Sequence, residues 1–145
     1  MALRFRNIDA DPSGPVEQWG FEGLLAAVDR GDLDDWRRVV AGVRRDPWGD
    51  VSRHLVDVFK VAEDVGVVAA LRRALVEVRG TAERTEKTLV AEQVRGYINR
   101  SGLSQRDFAQ RIGTSASRLS TYVNGSVTPS ATLMVRMGNV ASRAS

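Results

Sequence analysis

The segment 103–125, LSQRDFAQRIGTSASRLSTYVNG, constrains the fold more than any other part of the chain. It reads as two short amphipathic helices joined by a tight turn. Ser104 can cap the first helix through its hydroxyl, with Gln105 following it. Phe108, Ala109 and Ile112 then share one face at i, i+1 and i+4. Gly113 stands where the chain must reverse, because glycine enters the left-handed region without steric cost. Thr114 or Ser115 can cap the second helix, whose inward residues are Leu119, Tyr122 and Val123, and Gly125 closes it. Ala109 occupies the point where two steeply crossed helices come closest, so only a small side chain fits.

A small residue, a glycine four positions on and a branched apolar residue six beyond that meet the requirement of a helix-turn-helix. With Gln105, Ala109, Gly113, Leu119, Tyr122 and Gly125, and the TPS at 128–130 that opens another helix, the last third of the chain resembles the Cro/CI-type (XRE) repressor family. The resemblance implies that the second motif helix lies in the major groove of double-stranded DNA with its N-terminal residues at base edges. Its outward positions here are Ser115, Ala116, Ser117, Ser120 and Thr121, and the family reads bases mainly from those matching Ala116, Ser117 and Thr121. The hydroxyls donate or accept with either strand, and Ala116 suits a thymine methyl. A long amide or arginine often fills the first of these places in the family, so discrimination here is expected to be shallow unless Arg118 supplies a bidentate guanine contact; a phosphate contact for Arg118 stays equally open. By the same resemblance Gln105 and Asn124 contact phosphates. Thr114 and Arg106 border this surface, and Arg106, Arg111 and Arg136 add charge at its rim or are simply solvated.

Composition narrows the remaining function classes. The chain has 145 residues, 43% hydrophobic and 27% charged, which is a globular balance. Without cysteine there are no disulfides, thiolate metal sites or thiol nucleophiles, and a single histidine removes most zinc chemistry. The first ten residues lack the apolar run of a signal peptide, and VGVVAAL is stopped by Arg72 and Arg73 before it reaches a membrane span. A cytoplasmic, nucleoid-associated location is expected, with no membrane partner and no cofactor. Net charge is only +3, yet residues 1–80 carry 12 basic and 14 acidic side chains whereas 81–145 carry 9 and 4, with no acidic residue after Asp107. A basic C-terminal part suits a phosphate backbone, where neutralised charges release counterions.

The reading along the chain is all-α, a small N-terminal helical bundle followed by a C-terminal helix-turn-helix domain. Residues 1–15 read as an extended or loose tail, in which Leu3 and Phe5 alternate before Asp11-Pro12-Ser13-Gly14-Pro15 breaks the pattern. Residues 16–80 read as a bundle for interaction or dimerisation. Its helical stripes are Trp19, Leu24, Leu25, Val28; then Leu33, Trp36, Val39, Val40, Val43; then Val51, Leu55, Val58, Phe59; then Val67, Leu71, Ala74, Leu75, Val78, stopping near Gly80. Residues 81–87 form a polar helical linker. Residues 88–145 form the DNA-binding unit, opening on a helix with Leu89, Val90, Val94, Tyr97 and Ile98 and closing on one with Leu133, Met137 and Val140. Thr128-Pro129 should start that last helix. The family usually has a fifth helix here, so the N-terminal bundle and linker are expected to supply the missing packing, the dimer interface, or both.

Other constellations carry little chemistry. Asp29, Asp32, Asp34 and Asp35 lack the spacing and glycine of a calcium loop and read as helix caps and solvated surface. The tryptophans Trp19, Trp36 and Trp48 read as core or interface filling rather than a ligand cage. His54, beside Arg53 and near Asp57, has no second histidine or serine–acid arrangement around it, so no enzyme is expected. The leading expectation is a sequence-specific transcriptional regulator, a repressor binding operator DNA as a homodimer. The alternative is an antitoxin that holds a toxin through the N-terminal bundle and autoregulates its operon. A third keeps DNA binding but makes it architectural, with shape readout dominant.

Overall fold

The computed structural model describes residues 3–5 and 10–144, and every regular element among them is helical. Helix starts follow local capping chemistry. A short 3-10 turn, Val16–Gln18, precedes α1, Gly20–Arg30. The stripe from Pro15 is therefore not one helix: Gly20 adopts φ 66°, and this left-handed residue separates the two pieces. α2, Leu33–Arg45, opens on a reciprocal capping box: the Asp32 carboxylate accepts from the Asp35 amide at 3.1 Å and Asp35 accepts from the Asp32 amide at 3.0 Å. α3, Asp50–Val61, follows a tight turn in which the Gly49 amide donates to the Asp46 carbonyl at 3.0 Å.

The acidic cluster is accounted for by caps. Asp29 reaches across 34 residues of sequence to accept from the Glu63 amide at 2.9 Å and also accepts from that of Asp64 at 3.0 Å. Asp64 in turn caps the next helix by accepting from Val67 at 3.1 Å. Among the described residues no group of three His, Cys, Asp or Glu side chains is placed to hold a metal.

That next helix, α4, runs unbroken over Val65–Ser101. Here the structure departs from a helix ending near Gly80: glycine inside a helix costs only about 1 kcal/mol, and the Glu, Arg, Lys and Ala residues that follow are good helix formers. The chain divides within α4 into two compact units, Met1–Ala82 and Glu83–Ser145.

In the first unit α1 packs on α3, and the core gathers Trp19, Leu24, Val28, Val39, Val43, Leu55, Val58, Leu71 and Leu75. The N-terminal tail expectation falls partly on residues 1, 2 and 6–9, outside the described residues. Leu3 and Phe5 pack against this core, Phe5 edge-on to Trp19 with ring centroids 5.2 Å apart. The 11–15 segment is docked too. The Trp19 indole donates to the Asp11 carbonyl at 3.2 Å, and Arg38 lies over the Trp19 ring while donating to the carbonyls of Pro12 and Gly14. Trp36 is half-buried, its indole donating to the Ala27 carbonyl at 2.8 Å, whereas Trp48 is exposed beneath Arg79.

The second unit takes the end of α4 with α5, Gln105–Ile112, α6, Ala116–Val123, and α7, Ala131–Arg143. Its core holds Val94, Ile98, Phe108, Ala109, Ile112, Leu119, Tyr122 and Met137. Leu133 and Val140 pack against it half-buried. No described helix is long and apolar enough to cross a membrane.

Candidate nucleic-acid interface

Three serines set the starts of the three short helices. Ser104 accepts from the Asp107 amide at 3.1 Å, Ser115 from that of Arg118 at 3.1 Å, and Ser130 from that of Leu133 at 3.2 Å. Ser115, not Thr114, is therefore the cap of α6. The last helix begins one residue after Ser130 rather than at Thr128-Pro129, because the serine hydroxyl supplies the cap that Thr128 was expected to provide.

The turn between α5 and α6 is a Schellman closure. Gly113, at φ 81° and ψ 35°, donates to the Gln110 carbonyl at 3.3 Å, and the Thr114 amide reaches back to the Ala109 carbonyl at 2.9 Å. Thr114 thus serves the motif through its backbone. The closure leaves Ala109 and Leu119 fully buried in the same core cluster.

Burying Leu119 and Tyr122 turns the other side of α6 outward. Ala116, Ser117, Arg118 and Ser120 are exposed, and Thr121 is half-buried. Their hydrogen-bonding capacity is partly committed. Ser115 Oγ accepts the capping amide and lies 3.3 Å from Ser117 Oγ. Thr121 donates its hydroxyl proton to the Arg118 carbonyl at 2.6 Å, which leaves it a methyl group and oxygen lone pairs to present. Arg118 Nε donates to the Tyr122 hydroxyl at 3.0 Å. This i,i+4 contact ties the exposed Arg118 side chain to α6 through Nε and does not use its two terminal amino groups.

Gln105 and Arg106 form the exposed first turn of α5, where backbone N–H groups point out of the helix. Asn124 lies at the end of α6 with its Oδ1 accepting from the Ser126 amide at 2.9 Å, so its side-chain amide hydrogens face away from that turn. All ten sequence-nominated residues, Gln105, Arg106, Thr114, Ser115, Ala116, Ser117, Arg118, Ser120, Thr121 and Asn124, are thereby placed on α5, α6 or the turns at their ends.

Two basic residues have roles that the sequence reading missed. Arg136 donates to the Ile112 carbonyl at 3.4 Å, and Arg95 donates to the Val123 carbonyl at 2.6 Å. Each satisfies the carbonyl end of a motif helix, where a cation also meets the negative end of the helix dipole. Arg136 is thus tied to the end of α5 while it keeps its charge. Neither signal was available from spacing, since each partner lies more than twenty residues away.

Comparison with known proteins agrees with this geometry. Residues 89–141 match a family model described as a helix-turn-helix domain, a match that covers the end of α4 through α7. Curated proteins and solved structures return no match. The C-terminal part of this chain carries a helix-turn-helix domain of the DNA-binding kind.

Proposed function

We propose that the protein is a sequence-specific DNA-binding regulator of transcription, a repressor that binds an inverted repeat as a homodimer. The observation that carries this reading is the two-sidedness of α6. Leu119 and Tyr122 lock one side into the core, while Ala116, Ser117, Ser120 and Thr121 form a small, hydroxyl-bearing outward surface. Such a helix enters a major groove without steric obstruction. In this reading Ala116 meets a thymine methyl, Ser117 and Ser120 read base edges, and Thr121 acts as an acceptor. Gln105 and Arg106, at the positive end of α5, hold one phosphate and Asn124 another. Arg118 extends over the groove edge, held by Tyr122. No acidic residue follows Asp107, which is itself exposed in the first turn of α5, so α6 and α7 carry no charge that repels DNA.

The test is selection of bound sequences from a random DNA pool with the full-length protein, repeated at two salt concentrations. A palindrome enriched at both is expected, and its half-site separation gives the dimer geometry. A single unrepeated site would overturn the dimeric reading. No enrichment, with binding that vanishes at the higher salt, would overturn sequence-specific regulation altogether.

A further inference from the structure

The first unit carries an open groove of about 690 Å³ that DNA binding by the second unit does not use. One wall is a continuous face of α2. Leu33, Trp36 and Val40 supply apolar surface, and Arg37 and Arg44 stand seven residues apart on the rim, about 10 Å along the axis at 1.5 Å per residue. The other wall comes from α4, where Val67, Ala70 and Ala74 face the same space. The Trp36 indole N–H is spent on the Ala27 carbonyl, which fixes the ring as a wall rather than a donor.

Two properties select an occupant. The volume lies in the range of small-molecule sites, which are mostly apolar with a few placed polar groups. The charged side chains lining the groove are both arginine. Arg37 has only a 3.8 Å contact with Asp34, both largely exposed, and Arg44 has no ion-pair partner among the described residues. Glu77 lies with Arg44 along a neighbouring depression, outside this groove. We propose that the groove binds a small monomeric amphiphile with an apolar body and a carboxylate head, the body against Trp36 and Val40 and the head paired with Arg37 or Arg44. Guanidinium matches carboxylate geometry through paired N–H donors.

Isothermal titration of the full chain with decanoate, kept below its micelle concentration, tests this. Saturable binding of one equivalent is expected, weakening about two- to fourfold for each methylene removed from the chain. Decyltrimethylammonium should not bind, and Arg37→Gln with Arg44→Gln should weaken decanoate about tenfold with the circular dichroism melt unchanged. Ala70→Trp should fill the groove and abolish binding; should that variant melt early, the glutamine pair alone decides. Equal binding of the cationic and anionic amphiphiles would overturn the proposal, as would no saturable binding. Concentration-dependent dimerisation lost in Ala70→Trp would assign the groove to a second copy instead. Sedimentation with phosphatidylglycerol vesicles, lost in the same variant, would assign it to a membrane surface. Either result would overturn the small-ligand reading.

Discussion

Replacing Gly113 by alanine isolates one physical cause at the centre of the motif. A Cβ built there meets only Arg136 Nη1, at 3.6 Å, an ordinary van der Waals distance. Crowding therefore contributes nothing, and the cost comes from holding an L-residue at φ 81°. That conformation costs about 1–2 kcal/mol. Reduced freedom of the unfolded chain returns about 0.4–1 kcal/mol. The expected net loss is about 1 kcal/mol, which lowers the midpoint of a domain of ~60–100 residues by about 4–8 °C. Gly96 supplies the opposite case. It lies inside α4, nothing stands within 4 Å of its Cβ position, and its φ is not positive. Gly96→Ala should stabilise by about 0.5–1 kcal/mol. Urea unfolding followed by far-UV circular dichroism measures both. Tryptophan emission serves as the internal control, because Trp19, Trp36 and Trp48 all lie in the first unit, and it should shift less. A loss above about 3 kcal/mol for Gly113→Ala would mean tight packing rather than backbone strain. No loss would mean that Gly113 does not hold the left-handed conformation.

Other expectations follow from single contacts. Ser115→Ala removes the cap of α6 and should cost about 1 kcal/mol of stability, read by the same melt, with Ser115→Asp close to wild type. Arg118→Ala should weaken binding to the selected DNA by about 1–3 kcal/mol if its terminal amino groups read a base; an equal loss on random DNA refutes base reading. Tyr122→Phe deletes the hydroxyl that orients Arg118 and keeps the buried ring, so selectivity should fall several-fold in a binding titration while the melt stays near wild type. The Asp32 carboxyl is held below its ordinary value of 3.8 chiefly by the Asp35 amide. A lowered folded-state value means that its stabilisation is complete above the unfolded value and is lost as pH falls through the folded one. Asp32→Asn should therefore flatten the decline in stability below about pH 4, measured by denaturant titration from pH 6 to pH 2.

Local signals were the legible ones. The caps at Asp32 and Ser104, the reversal at Gly113 and the buried stripe Phe108, Ala109, Ile112, Leu119 each rest on residues within a few positions of one another, and each stands in the structure as its spacing predicts. What escaped depends on partners distant in sequence. Asp29 capping residues 63 and 64, Arg38 clamping the 11–15 segment and Arg95 bracing α6 all join points more than twenty residues apart. Gly80 misled because a glycine by itself does not end a helix: at Gly102 the backbone turns left-handed with φ 71° and at Gly31 it becomes extended, whereas α4 runs on through Gly80. The ten nominated residues rest on a resemblance that supplied a register for α5 and α6. Which of their hydroxyls are already engaged, as at Thr121, emerges only from coordinates.

The helix that carries the outward hydroxyls is 8 residues long, and so is the one before it. Isolated helices shorter than about 12–15 residues are marginal in water. The reading surface is therefore not a segment but a cooperative property of the folded unit: a peptide spanning 115–124 would be a random coil with no groove-fitting face. Any change that melts the core around Phe108 and Met137 should therefore erase the proposed DNA readout all at once instead of weakening it by degrees. In the proposed reading, recognition is inherited from folding, through buried residues that lie outside the proposed contact surface.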